Sequence, residues 1–479
     1  MIPRFTILSD EEVKRIHDGT LKVLRDVGVR VHHEGVLKRL AEAGAHVDMA
    51  SRTARFDEKM VMSSLEVADK SYTLYGRDGT KVARIGQGDF ITLSSPGQYS
   101  WVDIRGGRRR PPTSQETRQA IIVGDALENI DIVGAMTQPE DIPTPIRDIY
   151  LTAELVKNTR KPTRCWIANG RTAHYILEIY KAAAGGAEAL RARPQIEAFL
   201  EPISPLQMPT TGMEILLEFT ALGLPVSYGP MAQASATGPA TLAGTLVQEN
   251  AENLAAIVIT QAIRPGTPVM YGGIPHILDP RTTTISFGSP EQALMGVAMA
   301  QIAKSYGLPV YINVGLSDSN DLDVQSGLER GITFILGVLA GADLCGHFGV
   351  MGADQGASLS LLVVDNEMVS YVRRIMRRFE VNEDTLALEL IEAIGPGGQY
   401  LAEEHTVRHF RREFWIPLLL WNRRGWDIWL AEGGKNMAER AAERVEEILA
   451  THELEPIEED LAREIDNIVE AAKRELLNR

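Results

Sequence analysis

Cysteine is nearly absent: two residues, Cys165 and Cys345, stand in a chain of 479. Far apart and outside any C-x-x-C pair, they supply neither a disulfide framework nor a thiolate metal site. Positive charge is also short, with 49 Lys and Arg against 64 Asp and Glu, a net charge of -15. A chain without a basic excess is not expected to bind nucleic acid, where affinity comes from displacing counterions. The acidic balance suits a basic partner or a cationic small molecule. No apolar stretch is long and unbroken enough to span a bilayer, and "MIPRFTILSD" lacks the basic start and apolar core of a secretory signal. No membrane partner and a cytoplasmic location are therefore expected. Catalytic signatures are missing too. There is no G-x-S-x-G elbow for a nucleophilic serine and no H-x-H of a metal-dependent barrel hydrolase. "HTVRH" spaces His405 and His409 for one helical face, but it carries no glutamate inside the motif as zinc hydrolases require. No protein-bound metal is expected.

What is present is alternation. Residues 9 to 45 read as helical, opening with Ser9 as a cap and Glu12 three residues on. "YTLYGRDGTKVARIG" reads as a hairpin around a Gly-Arg-Asp-Gly turn. From residue 89 onward eight apolar strand candidates follow: "DFITLS", "IDIVGAM", "TRCWIAN", "EAFLEPIS", "LPVSYGP", "TPVMYGG", "LPVYINVG" and "ADLCGHFG". A segment of helical period follows each. Eight such pairs predict an α/β fold, a (β/α)8 TIM barrel, with an open doubly wound sheet as its rival. The expected organisation is an N-terminal helix and β-hairpin extension over 1–88, the barrel as catalytic domain over 89–380, and a helical extension over 381–479. No internal repeat is evident.

In such a barrel, chemistry sits at the carboxyl ends of the strands. "HFGVMGADQGASLSLLVVDNE" follows the eighth strand and has glycines but no lysine and no phosphate-loop spacing. Its glycines allow close approach of backbone to a ligand. Aromatic residues near strand ends, Tyr99, Trp101, Tyr271, Phe287 and Phe348, offer π faces. A quaternary ammonium, which has no hydrogen to donate, is held by such faces.

Several segments carry a resemblance. "ATGPATLAGTLVQENAENLA", "RPGTPVMYGG", "GSPEQAL", "LAGADL", "VVDNEM" and "IGPGGQYLAEEHT", with "RRPPTSQE" and "KNTRKP", together resemble the trimethylamine methyltransferase family in order along most of the chain. That family is a (β/α)8 barrel that passes a methyl group to the cobalt of a separate small corrinoid protein. The archaeal trimethylamine enzymes carry pyrrolysine in the loop after the eighth strand. The matching position here falls near Asp354 or Gln355, both standard residues. The likeness therefore implies the branch without pyrrolysine, to which glycine betaine methyltransferase belongs. "GPGGQYL" departs from a His-Phe pair common in the family, at Gln399 and Tyr400.

The resemblance implies methyl transfer from a quaternary amine, glycine betaine or a related betaine, to a Co(I) corrinoid supplied by the partner protein. No tightly bound cofactor is implied, and a homo-oligomer is expected. Position at strand ends nominates His347, Asp354 and Gln355 as catalytic, with Asp354 facing an ammonium. Tyr99, Trp101, Asn169, Tyr271, Phe287, Asn313 and Phe348 are nominated for the substrate, and Arg105 and Arg281 for a carboxylate. Three alternatives stand beside this reading: a tertiary methylamine methyltransferase without pyrrolysine, a metal-dependent barrel hydrolase using "HTVRH", and a betaine-binding module without catalysis.

Overall fold

The computed structural model describes residues 4–103, 107–417 and 422–478. Eight short parallel strands carry the architecture: β1 (Ile91–Ser94), β2 (Val133–Gly134), β3 (Thr163–Arg164), β4 (Ala198–Leu200), β5 (Val226–Tyr228), β6 (Val269–Gly273), β7 (Val310–Asn313) and β8 (Leu344–Phe348). Each lies within one of the eight apolar segments and is followed by a helix. These helices are α1 (Ser114–Ala126), α2 (Arg147–Asn158), α3 (Gly170–Ala184), α4 (Thr210–Leu222), α5 (Leu242–Ile263), α6 (Pro290–Ser305), α7 (Val324–Ala340) and α8 (Leu359–Met376). Strands buried on both faces have no polar side to alternate with, which is why their sequences are near-continuous apolar runs.

Strands β4, β5, β6, β7, β8 and β1 form one parallel sheet in that order, and β2 and β3 form a second parallel pair. A single bridge, Leu93 to Ile132, joins β1 to the stretch entering β2. Between β3 and β4 no ladder is present among the described residues, so the expected closed barrel is observed as a parallel α/β sheet with one seam unpaired. At that seam side chains take over. Arg164 of β3 lies 3.4 Å from Glu197, just before β4, and donates to Ser227 Oγ of β5 at 3.2 Å.

The hairpin of strands Tyr72–Tyr75 and Val82–Ile85 sits at the amino ends of the parallel strands. Tyr75 N–H donates to Pro194 O at 2.7 Å, and Val269 N–H to Asp69 O at 3.0 Å. Leu74, Ala83 and Ile85 share a core with Leu93, Met270 and Leu344 of β1, β6 and β8 and with Ile132, just before β2. The concave face is therefore filled from its amino end, and only the carboxyl end remains for chemistry. Outside the sheet, helix Asp10–Asp26 is capped by Ser9 and Glu12 reciprocally, and packs on α5. The helices over Glu383–Ala431 bury no residue, whereas helices Met437–Thr451 and Glu459–Leu476 return to pack on α1, α8, α3 and α2. Among the described residues no helix is long and apolar enough to cross a membrane.

Candidate functional site

Four rings close a circuit at the carboxyl ends of the strands. Trp166 follows β3, Phe199 is in β4, Tyr311 is in β7 and His347 is in β8. Centroid separations run 5.7 Å from Trp166 to Phe199, 5.6 Å to Tyr311, 5.8 Å to His347 and 6.4 Å back to Trp166. Two pairs are edge-to-face, Phe199 with Tyr311 and Trp166 with His347, an arrangement that suits the ring quadrupoles. Trp166 is fixed by donating its indole N–H to Gly97 O at 3.1 Å. Tyr311 donates to Asn313 Oδ1 at 3.1 Å, and its hydroxyl lies 3.3 Å from His347 Nε2. Tyr311 and His347 are buried, whereas Trp166 and Phe199 keep part of their surface open.

Charges surround this circuit unevenly. On one side the Arg164 guanidinium stacks 4.2 Å from the Phe199 centroid and is paired with buried Glu197, which accepts from the Tyr72 hydroxyl. Two further carboxyls belong to the site. Asp354 accepts from Gln98 Nε2 at 2.8 Å, while Glu201 accepts no hydrogen bond from any described residue. Protein crowds both from nearly all sides, yet each retains some solvent access. Burial pushes Glu201 up to about 8, with the nearby negative charge of Asp354 adding to the rise. Burial likewise raises Asp354 to about 6 against the opposing hydrogen bond from Gln98. Burial and the adjacent Arg164 charge hold His347 down at about 3, so its imidazole is neutral. Aromatic faces beside two carboxyls form an environment for a cation.

The loop after β8 is pinned from outside by a buried ion pair. Arg330 of α7 donates to both oxygens of Asp365 of α8, at 2.9 and 3.0 Å, and to the carbonyls of Gly315 and Val350. Asp365 in turn accepts from Gly349 N–H at 2.7 Å. The loop glycines serve packing. A Cβ at Gly352 would lie 2.5 Å from Asn320 Oδ1, and one at Gly356 would lie 2.6 Å from a Val102 methyl. Gly352 also has φ near +61°, where a side chain adds strain.

The structure brings His347, Asp354 and Asn313 together here and leaves the other nominated residues elsewhere. Tyr271 turns outward to Asn250 of α5, because strand alternation places its neighbour Met270 on the concave face. Phe348 packs edge-on against Phe334 of α7. A register shift between Gly346 and Phe348 gives His347 the inward position. Asn169 caps α3, accepting from Arg171 and Thr172 N–H. Trp101 is buried and donates to Asp103, Phe287 packs beside His276, and Tyr99 is 76% exposed. Gln355 accepts from Arg109 at 2.7 Å on the exposed rim. Arg281 is exposed beside Asp279, and Arg105 lies outside the described residues. His405 and His409 stack on one exposed helix with their nitrogens turned to Asp384. Trp166, Phe199, Tyr311 and Glu201 were not singled out in the sequence.

The sequence profile of the family described as Trimethylamine methyltransferase (MTTB) matches residues 1–476. The chain is similar to a glycine betaine methyltransferase of Desulfitobacterium hafniense strain Y51, 30% identical over 457 residues and 94% of each protein. It is 32% identical over 472 residues to a trimethylamine methyltransferase of Methanosarcina thermophila, covering 96% of each. Among solved structures, the monomethylamine methyltransferase of Methanosarcina barkeri superposes with a TM-score of 0.54 at 11% identity. That match covers 99% of this chain and 88% of the other. At this identity it shows a shared fold.

Proposed function

The chain belongs to the trimethylamine methyltransferase family, and from that premise we propose that it transfers a methyl group from a quaternary amine to the Co(I) of a corrinoid carried by a separate small protein. The observation that carries this reading is the four-ring circuit flanked by Glu201 and Asp354. Cation–π attraction and two carboxyls hold N⁺ without requiring an N–H, which a quaternary amine lacks. In the transfer the N–CH₃ bond breaks, its electron pair stays on nitrogen, and a neutral tertiary amine leaves. The methyl joins the cobalt through the electron pair of Co(I).

The chain's own task is to fix one methyl in line with the acceptor and exclude water, for which alignment alone contributes several kcal/mol. His347, neutral and buried between Trp166 and Tyr311, positions two walls of the circuit. Asp354, steered by Gln98, faces the ammonium. No proton shuttle is needed, which accounts for the missing acid–base motifs. Formation of a tertiary amine and of methylated cobalamin, when the chain is mixed with reduced cobalamin and a quaternary amine, is the test. Absence of both products would end the reading.

On the same reading the parallel strands close as a (β/α)8 barrel over 89–380, with 1–88 and 381–479 as additions. Support comes from eight parallel strands in chain order, with Arg164 spanning the one unpaired seam. A homo-oligomer accounts for the exposed apolar residues of the 383–431 helices, among them Leu388, Ile391, Val407 and Trp426. Light scattering should give at least twice 52.7 kDa; a monomer mass would remove that part.

A pH dependence follows from the carboxyls. Around Glu201 the charged groups are Asp354 and Arg164, the latter paired with Glu197. A bound cation favours the ionised carboxylate. Affinity is therefore expected to rise with pH through the range from about 6 to about 8 and to level above it. Below about 8 each binding event should expel protons, seen calorimetrically as heats that depend on the buffer. Affinity that falls over this range would contradict the assignment.

A further inference from the structure

We infer that the substrate carries a net positive charge, so that the fourth substituent on its ammonium nitrogen is a neutral or cationic arm and not a carboxylate. This rests on the methyl-transfer reading above and deepens it. A betaine is a zwitterion, and a site for it must offer its carboxylate a cation or a set of converging donors. Around the ring circuit the ionisable groups that lack a counter-ion are acids. Glu201 stands two residues after Phe199 on the same side of its strand, and both it and Asp354 lie close enough to act electrostatically on Tyr311. Neither is paired with a cation: Asp354 has only the neutral amide of Gln98, and Glu201 has no hydrogen-bonding partner among the described residues.

Each described positive charge in the neighbourhood is either sealed from a ligand or already bonded. Arg164 is buried to 2% exposure, covered by the Phe199 ring and ion-paired with Glu197; its Nε and Nη1 make no hydrogen bond but are sealed from any ligand by the surrounding protein. Arg109 at the rim donates to Ser100 Oγ at 2.9 Å and to Gln355. The imidazole of His347 carries no charge. A carboxylate placed in this ring could be met only with both acids protonated, whereas a cation draws out their ionised forms and gains that attraction in a medium of low dielectric. The neutral polar groups that remain, Asn313 and the Tyr311 hydroxyl, suit a hydroxyl or an alkyl arm.

The test separates ligand charge from chemistry. Tetramethylammonium, choline and glycine betaine are titrated calorimetrically into the full chain at one pH above about 8, where both acids are ionised, with no cobalamin present. Methyl transfer to reduced cobalamin is then measured separately with the same three compounds. Tetramethylammonium or choline should bind at least tenfold more tightly than glycine betaine. Replacing both acids by neutral isosteres, Glu201→Gln with Asp354→Asn, should weaken the cations at least tenfold while leaving betaine unchanged or tighter. Circular dichroism confirms that the variant is folded; if the pair does not fold, Asp354→Asn alone is expected to shift the ratio in the same direction. Glycine betaine binding as tightly as the cations, no measurable binding of any of the three, or a ratio unmoved in the folded variant would overturn the inference. A cation preference without methyl transfer from any of them would support the inference and overturn the transfer reading instead.

Discussion

Asp365→Ala is expected to lower the stability of the chain by about 3–5 kcal/mol, the cost of removing one partner from a buried ion pair. Both side chains of the pair are at most 2% exposed. With the carboxylate gone, the Arg330 guanidinium stays trapped without a counter-charge, and the Gly349 N–H loses its acceptor. Replacing both members together, Arg330→Met with Asp365→Leu, should cost less, since no unpaired charge remains. It will still leave the Gly315 and Val350 carbonyls without their donor. Chemical denaturation of the three proteins measures the effect. Asp365→Ala within about 1 kcal/mol of the parent would show that the pair is not the anchor of the loop after β8.

Trp166→Leu is expected to reduce kcat/KM for a quaternary amine about 30-fold, with a smaller loss in Trp166→Phe. A desolvated cation–π contact is worth about 2 kcal/mol, and 1.36 kcal/mol corresponds to tenfold. Leucine retains apolar bulk but has no π face, so the difference between the two variants isolates the electrostatic part. Trp166 also carries the bond to Gly97 O, so rates are compared where both variants are equally folded. Equal loss in the leucine and phenylalanine variants would assign Trp166 to packing alone.

These expectations rest on residues that were unevenly legible in the sequence. Periodicity exposed the alternation of strands and helices, because buried parallel strands are apolar runs bounded by turns. It could not show how the β3–β4 seam is joined, since Arg164 and Glu197 meet there through side chains. Choosing aromatics by strand-end position failed at Tyr271 because alternation turns it to α5, and at Phe348 because a shifted register gives the inward place to His347. A better signal was present. Arg164 and Trp166, Phe199 and Glu201, and Tyr311 and Asn313 each stand two residues apart in otherwise apolar strand segments. A period of two that mixes charge with aromatic faces marks a concave face serving chemistry.

The segments that carried the family resemblance proved largely to be scaffold. In "QENAEN", Glu249 accepts from Ala232 N–H, Glu252 holds Ser204 and Leu206, and Asn253 bonds both backbone groups of Gly272. In "GSPEQAL", Ser289 caps α6 and Gln292 donates to Asn313 O. "VVDNEM" supplies Asp365. These residues hold loops at the carboxyl end of the sheet without touching the ring circuit. They explain why family membership was readable while Trp166, Phe199, Tyr311 and Glu201 of the site were not.

The most direct measurement supplies the purified chain with reduced cobalamin and follows the visible absorbance of Co(I) with a quaternary amine or with trimethylamine. The account predicts chain-dependent loss of Co(I) and appearance of methylated cobalamin with the quaternary amine, whose leaving group is a neutral tertiary amine, and no change with trimethylamine. Faster methylation from trimethylamine than from every quaternary amine tried would contradict it.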